Sequence, residues 1–296
     1  MKDPKLRGVF APVTTPFSAG GEVDYKGLEE NMRVYAQSGI KGYLALGSNG
    51  ENKSLTDKEK LSVLEVIVKN KGADQTVMAG CIFESTRETV EMAKSLESVG
   101  PDFLTLLPPS YFKSMMTDDA LLKYFTDVAD AVQTPCLVYN APQFCGGLSL
   151  SVSLIKKLAE HPNIRGIKDS STGSIESILF AVGDDFSVMA GSANFFFTAL
   201  LLGGTGGVIS LANAFPALTN TLYLATVNKE YEKAIALNSR ILQLNKTVSG
   251  KGGVAAVKYA MSLAGLAGGD PRLPLLPLAE DIKEQIKGKL KAENLI

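Results

Sequence analysis

Lys168 ends a short, mainly apolar run, Ile164-Arg165-Gly166-Ile167, and passes at once into Asp169-Ser170-Ser171. An ammonium carried to the end of a buried strand loses hydration, which disfavours its charged form and leaves free amine able to attack a carbonyl. That is the chemistry of a Schiff-base lysine. The plainer alternative is a strand-end lysine whose stem covers apolar surface while its head stays in water. Three other segments favour the reactive reading, because each also stands where an apolar run gives way to a polar loop. Val138-Tyr139-Asn140-Ala141-Pro142 offers a phenol, Gly47-Ser48-Asn49-Gly50-Glu51 a hydroxyl in a tight turn, and Pro108-Pro109-Ser110-Tyr111 a second phenol.

These groups make one reaction between them. A lysine condensed with a 2-oxo acid is an electron sink, so a bond at the neighbouring carbon breaks or forms through an enamine. Each step moves a proton, and Tyr139 is the expected carrier, with Ser48 and Tyr111 completing a hydroxyl relay. The turn around Ser48 and Asn49 presents backbone N–H groups to a carboxylate. Bland readings stand beside these: a tyrosine at a strand rim, a turn that is only a turn, and a Glu51 that merely favours the start of the next helix. The single histidine, His161, precedes Pro162 and is expected in solvent, so a triad or metal site that needs histidine loses its main candidate.

The elements that must position these residues alternate. Strands are expected at 8–14, 42–46, 77–81, 103–107, 136–139, 164–168, 186–190 and 207–210, with helices between them. Thr56-Asp57-Lys58-Glu59 and Ser85-Thr86-Arg87-Glu88 read as capping boxes at two helix starts. Eight strand–helix alternations with short apolar strands predict a parallel sheet closed on itself, a (β/α)8 TIM barrel. The run Gly203-Gly204-Thr205-Gly206-Gly207 follows a helix and leads into a strand, the reverse of a dinucleotide-binding loop. The division expected is a catalytic barrel over 1–225 and a helical C-terminal extension over 226–296 that packs beside it or forms an oligomer contact.

Composition is that of a soluble globular protein. The chain has 296 residues, 45% hydrophobic and 21% charged, with a net charge of −1, so bulk charge offers nothing to nucleic acid or an anionic membrane. Residues 186–228 carry no charge, but glycines and Pro216 interrupt them before a membrane span could form. The apolar stretch near the start is too short for a signal peptide. Cys81, Cys136 and Cys145 lack metal-ligand spacing and read as buried thiols in a reducing compartment, the cytoplasm.

The segments Gly8 to Phe17, Gly47 to Glu51, Pro108 to Tyr111, Tyr139 to Pro142, Gly166 to Asp169 and Gly206 to Ser210 resemble the dihydrodipicolinate synthase / N-acetylneuraminate lyase family, in order and in spacing, over nearly the whole chain. The resemblance implies a (β/α)8 barrel with a helical extension, class I aldolase chemistry on pyruvate without metal or other cofactor, and a homotetramer built from tight dimers. It makes Lys168 the imine lysine, Tyr139 the proton-transferring phenol and Ser48 with Asn49 the carboxylate-holding pair. Tyr111 would enter the relay from a neighbouring subunit, and Gly191 and Ile209 would line the pocket.

Members that make dihydrodipicolinate carry an arginine shortly after the Tyr-Asn-x-Pro segment, where it grips the aldehyde's carboxylate. Phe144 stands there, with no arginine or lysine between Tyr139 and Lys156. Ser48-Asn49-Gly50-Glu51, Ala190-Gly191-Ser192-Ala193 and Leu211-Ala212-Asn213 are closer to aldolases of 4-hydroxy-2-oxoglutarate and of 2-keto-3-deoxy sugar acids. Phe144 and Phe195-Phe196-Phe197 could instead line a pocket for an apolar or aromatic aldehyde, as in the family's hydratase-aldolases. The expected activity is reversible cleavage of a 4-hydroxy-2-oxo acid to pyruvate and an aldehyde. The alternatives are 4-hydroxy-tetrahydrodipicolinate synthase and a non-catalytic 2-oxo acid binding protein.

Overall fold

A computed structural model describes residues 2–296. Eight parallel strands close into a barrel in sequence order: β1 (Gly8–Pro12), β2 (Gly42–Ala45), β3 (Thr76–Cys81), β4 (Phe103–Leu106), β5 (Cys136–Asn140), β6 (Ile164–Asp169), β7 (Ser187–Ala190) and β8 (Gly206–Val208). Both faces of such a sheet are covered, which is why the strands read as unbroken apolar runs. Alternate residues divide the two faces. Phe10, Leu44, Met78, Phe103, Leu137, Met189 and Val208 point inward and, with Leu6 from the turn before β1, fill the interior. Val9, Ala11, Tyr43, Ala45, Val77 and Ala79 point outward, into the larger core beneath the helices.

The barrel closes where β8 meets β1, and the closure needs glycine. A Cβ on Gly206 would lie 2.0 Å from the Gly8 carbonyl oxygen, so any side chain there would force the seam apart. The glycine run 203–207 thus serves the sheet. β8 is shorter than its sequence suggested: after Ile209 donates to the Phe10 carbonyl, the chain turns through 210–213, and Asn213 Nδ2 reaches the Pro12 carbonyl at 2.9 Å.

Helices α1 (Tyr25–Ala36), α2 (Asp57–Asn70), α3 (Thr86–Val99), α4 (Asp118–Asp130), α5 (Val152–Leu158), α6 (Ile175–Ala181), α7 (Phe196–Leu201) and α8 (Pro216–Val227) surround the sheet. Side chains of Asp24, Thr56, Ser85, Thr117 and Ser151 accept N–H bonds in the first turns of their helices. Thr56 and Glu59 form both bonds of a capping box; at Ser85 only the bond from the Glu88 N–H forms. The remaining helices are α9 (Tyr231–Val248), α10 (Gly253–Leu263) and α11 (Glu280–Ala292). They do more than sit beside the barrel. Met261 of α10 takes a contact from the buried Thr14 hydroxyl just after β1, and Lys258 of the same helix is completely buried. Among the described residues no helix is long and apolar enough to cross a membrane.

Candidate active site

The alternation that fills the barrel also places its reactive groups. Two residues beyond inward-facing Phe10, Leu137, Met189 and Val208 stand Pro12, Tyr139, Gly191 and Ser210, and all four line a cavity of about 450 Å³ at the carboxyl ends of the strands. Lys168 joins them because it pairs in register with Tyr139 on one side and Met189 on the other. Its side chain is 5% exposed, and Nζ lies 3.8 Å from the centroid of the Tyr139 ring. Amine and phenol are therefore held together at the cavity floor.

Their neighbours in sequence lock them there. Asp169 points away from the cavity and is fully buried, accepting hydrogen bonds from Asn140 Nδ2 at 2.7 Å, Ser171 Oγ at 2.8 Å and Ser174 Oγ at 3.2 Å. Burial raises its carboxyl above the ordinary range, while the Ser171 and Asn140 bonds oppose the shift. The Asn140–Asp169 tie spans β5 and β6 one residue beyond the Tyr139–Lys168 pair, so neither strand can slip without breaking it.

The turn after β2 carries Ser48 and Asn49 into the same cavity. The N–H groups of Gly50, Glu51 and Asn52 close onto the carbonyls of Gly47 and Ser48; among the described residues those of Ser48 and Asn49 make no such bond. Asn49 Nδ2 donates to Ser210 Oγ at 2.9 Å, and Thr15 Oγ1 donates to the Gly50 carbonyl at 2.8 Å. Glu51 has a larger part than favouring a helix start. It is buried, adopts φ +55°, and forms an ion pair with Lys258 Nζ at 2.6 Å in which both side chains are fully buried. Burial pulls the Lys258 ammonium below its ordinary value, against the attraction of Glu51. Lys258 is the only charged residue between 252 and 269, a signal in the sequence that could have marked it.

The other expected site residues fall in different places. Phe144, 52% exposed, and Phe195 belong to the apolar part of the cavity wall, together with Pro12, Pro142 and Val208. Gly191 lies against the chain after Lys168, where an added Cβ would meet the Ser170 hydroxyl at 1.9 Å and the Asp169 carbonyl at 2.7 Å. Ile209 is fully buried in the core outside the barrel, while its neighbours Val208 and Ser210 face the cavity, as strand alternation demands. Tyr111 is 81% exposed, stacked edge-on against Phe112 and away from the residues that line the cavity within one chain. Gln143, Ser170, Ser171, Thr172, Ser192 and Asn194 complete the wall and were not foreseen.

His161 is less solvated than expected. Its ring pairs with Asp130 at 3.1 Å through Nε2 and accepts the Asn163 N–H at Nδ1. All three cysteines are buried and free, and burial pushes the Cys136 thiol up to about 12 and the Cys145 thiol up to about 11.

Comparison with known proteins agrees with this geometry. The model of the dihydrodipicolinate synthetase family matches residues 5–293. A 4-hydroxy-tetrahydrodipicolinate synthase of Acidiphilium cryptum is 33% identical over 98% of this chain and 99% of its own length. A probable mitochondrial 4-hydroxy-2-oxoglutarate aldolase of Emericella nidulans is 34% identical over 98% of this chain and 97% of its own. The crystal structure of a dihydrodipicolinate synthase from Acinetobacter baumannii, complexed with pyruvate, superposes with a TM-score of 0.93 at 30% identity, covering 98% of this chain and 100% of that one. With a family model spanning nearly every residue and relatives matched end to end, the chain belongs to the dihydrodipicolinate synthetase family of lysine-imine, pyruvate-dependent lyases.

Proposed function

We propose that this lyase cleaves a 4-hydroxy-2-oxo acid reversibly to pyruvate and an aldehyde, with Lys168 as the imine-forming residue. The observation that carries the assignment is the Lys168–Tyr139 pair on the floor of a cavity otherwise walled by neutral groups. The Lys168 amine attacks C2 of the 2-oxo acid, and loss of water yields the iminium. The C4 hydroxyl then gives up its proton as the C3–C4 bond breaks, and the bonding electrons pass to the iminium to form an enamine. Tyr139 carries these protons and returns one to C3; hydrolysis releases pyruvate. Ser48 and Asn49 hold the substrate's carboxylate. Tyr111 enters the relay from a second copy of the chain, within a cytoplasmic homotetramer. That placement is supported by its exposure beside exposed Phe112 and Met115, a surface patch that a neighbouring subunit would cover.

Among the described residues Lys168 is the only charged side chain lining the cavity. Once it is bound in the imine, no other cation remains to hold a carboxylate on the aldehyde half. Gln143, Ser171, Thr172, Ser192 and Asn194 suit a hydroxylated, uncharged aldehyde, so a 2-keto-3-deoxy sugar acid is the preferred substrate type, followed by 4-hydroxy-2-oxoglutarate. A synthase joining pyruvate to aspartate semialdehyde is the second reading, favoured by the similarity to the Acidiphilium cryptum protein. The test is cyanoborohydride reduction with pyruvate, read by peptide mass spectrometry. An adduct on the Lys168 peptide, lost in Lys168→Ala without loss of fold, is the expected result. No adduct on the folded wild-type protein would refute the assignment in favour of a silent 2-oxo acid binder.

A further inference from the structure

The C-terminal helices supply one side chain that the barrel does not provide for itself. Lys258 stands in the middle of α10 with no exposed surface, and its Nζ donates to Glu51 Oε1 at 2.6 Å. The same ammonium donates to the Asp270 carbonyl at 3.0 Å and lies 4.3 Å from the centroid of the Phe17 ring. The other Glu51 oxygen accepts the Arg272 N–H at 2.8 Å. Both carboxylate oxygens are thus held by groups of the C-terminal segment, in a place where an unpaired charge would be strongly unfavourable.

Glu51 lies two residues after Asn49, at φ +55° and ψ +40°. A residue with a side chain keeps that left-handed conformation only where its surroundings hold it. Besides the Arg272 N–H on Glu51, side chains from three parts of the chain tether the turn: Thr15 after β1 on the Gly50 carbonyl, Ser210 after β8 on Asn49, and Lys258 of α10 on Glu51. The first two are single neutral hydrogen bonds; the third is a buried ion pair.

We infer that Lys258 is a positioning residue: through Glu51 it sets the Ser48–Asn49 turn in the shape that receives the carboxylate of the 2-oxo acid. The inference rests on the lyase reading of the cavity given above. It makes the C-terminal extension part of the substrate-binding apparatus, although Lys258 is absent from the cavity wall. A role confined to the fold would affect all carbonyl compounds alike, whereas a role in shaping the turn affects only those that carry a carboxylate.

The test uses the full-length protein with Glu51→Gln and Lys258→Met combined, so that neither charge is left buried alone. Labelling of the Lys168 peptide with cyanoborohydride is compared for pyruvate and for acetaldehyde, which has the carbonyl but no carboxylate. The double variant is expected to need about tenfold more pyruvate for half-maximal labelling, equivalent to about 1.4 kcal/mol. Its acetaldehyde labelling should stay close to the wild-type value. Equal losses with both compounds, no change with either, or a double variant that does not fold would each overturn the positioning role. A wild-type protein that labels with acetaldehyde but not with pyruvate would instead refute the lyase reading itself.

Discussion

A methyl group at position 191 would test how tightly the ends of β6 and β7 hold Lys168. The Gly191 N–H donates to the Asp169 carbonyl at 2.6 Å, and a Cβ there would lie 2.7 Å from that oxygen and 1.9 Å from Ser170 Oγ. The hydroxyl can rotate away, but the carbonyl is backbone one residue after Lys168. A carbon–oxygen contact settles near ~3.4 Å, so the two strand ends must part by about 0.7 Å in Gly191→Ala. Overpacking of this kind costs ~1–3 kcal/mol. In chains a little shorter than this one, each kcal/mol lowers Tm by about 2–4 °C. The shift falls on the Lys168 main chain, where a misplacement approaching 1 Å can cost a factor of roughly 100 in rate. The expected outcome is a drop of several degrees in Tm and a fall in kcat/KM of roughly tenfold to a hundredfold. Adding Ser170→Ala should recover little, since it removes the hydroxyl and leaves the carbonyl. Wild-type Tm and kcat/KM in Gly191→Ala, or full recovery in the double variant, would refute the argument that the backbone carbonyl is the obstacle.

Three further outcomes are expected. Tyr139→Phe keeps the ring beside Lys168 and loses only the hydroxyl proposed to carry the proton, so turnover should fall roughly 100- to 10,000-fold while pyruvate labelling of Lys168 still reaches completion; wild-type turnover would reassign the proton transfer. Phe144→Arg places a cation at an exposed part of the wall, with a stability change within about 0.5 kcal/mol. It should raise kcat/KM for condensation of pyruvate with aspartate semialdehyde roughly tenfold or more, in line with a charge-assisted hydrogen bond, and no gain would show that Phe144 does not face the aldehyde's carboxylate. The Arg272 guanidinium forks onto both oxygens of Glu59, at 2.7 and 2.9 Å, and holds that carboxyl at about 2, well below its ordinary 4.5. Because the folded value is the lower one, this stabilisation is complete above pH 4.5 and is lost as the pH falls toward about 2. The Tm gap between wild type and Glu59→Gln should therefore close over that interval, and a gap unchanged at the acid end would contradict the assignment.

Much of the site was legible because it obeys local rules. Lys168, Tyr139 and the Ser48–Asn49 turn each end an apolar run, and a parallel barrel brings strand ends together, whereas Tyr111, which also follows an apolar run, lies outside the cavity of its own chain. Strand alternation carries further than the residue types alone: Val208 points inward, so Ser210 reaches the cavity while Ile209 between them faces the outer core. The helix starts were legible for the same local reason, although Glu88 does not complete its capping box at Ser85.

What remained hidden depends on contacts between distant parts of the chain. Nothing near Glu51 reveals that its partner is Lys258, 207 residues away, because the partner is chosen by how α10 packs on the barrel mouth. The tie between Asn140 and Asp169 appears only once β5 and β6 are in register, and the bond between Asn49 and Ser210 only once the barrel has closed. His161 looked solvated until Asp130 and Asn163 came within reach of its ring. Residue types and their period along the chain were enough to determine a (β/α)8 barrel and the lysine, phenol and turn that face its mouth, since these follow from neighbours in sequence. The pairing of the buried charges, the wall that leaves Lys168 without a second cation, and the anchoring of the Ser48–Asn49 turn were decided by tertiary structure, because each requires groups from separate segments to meet away from water.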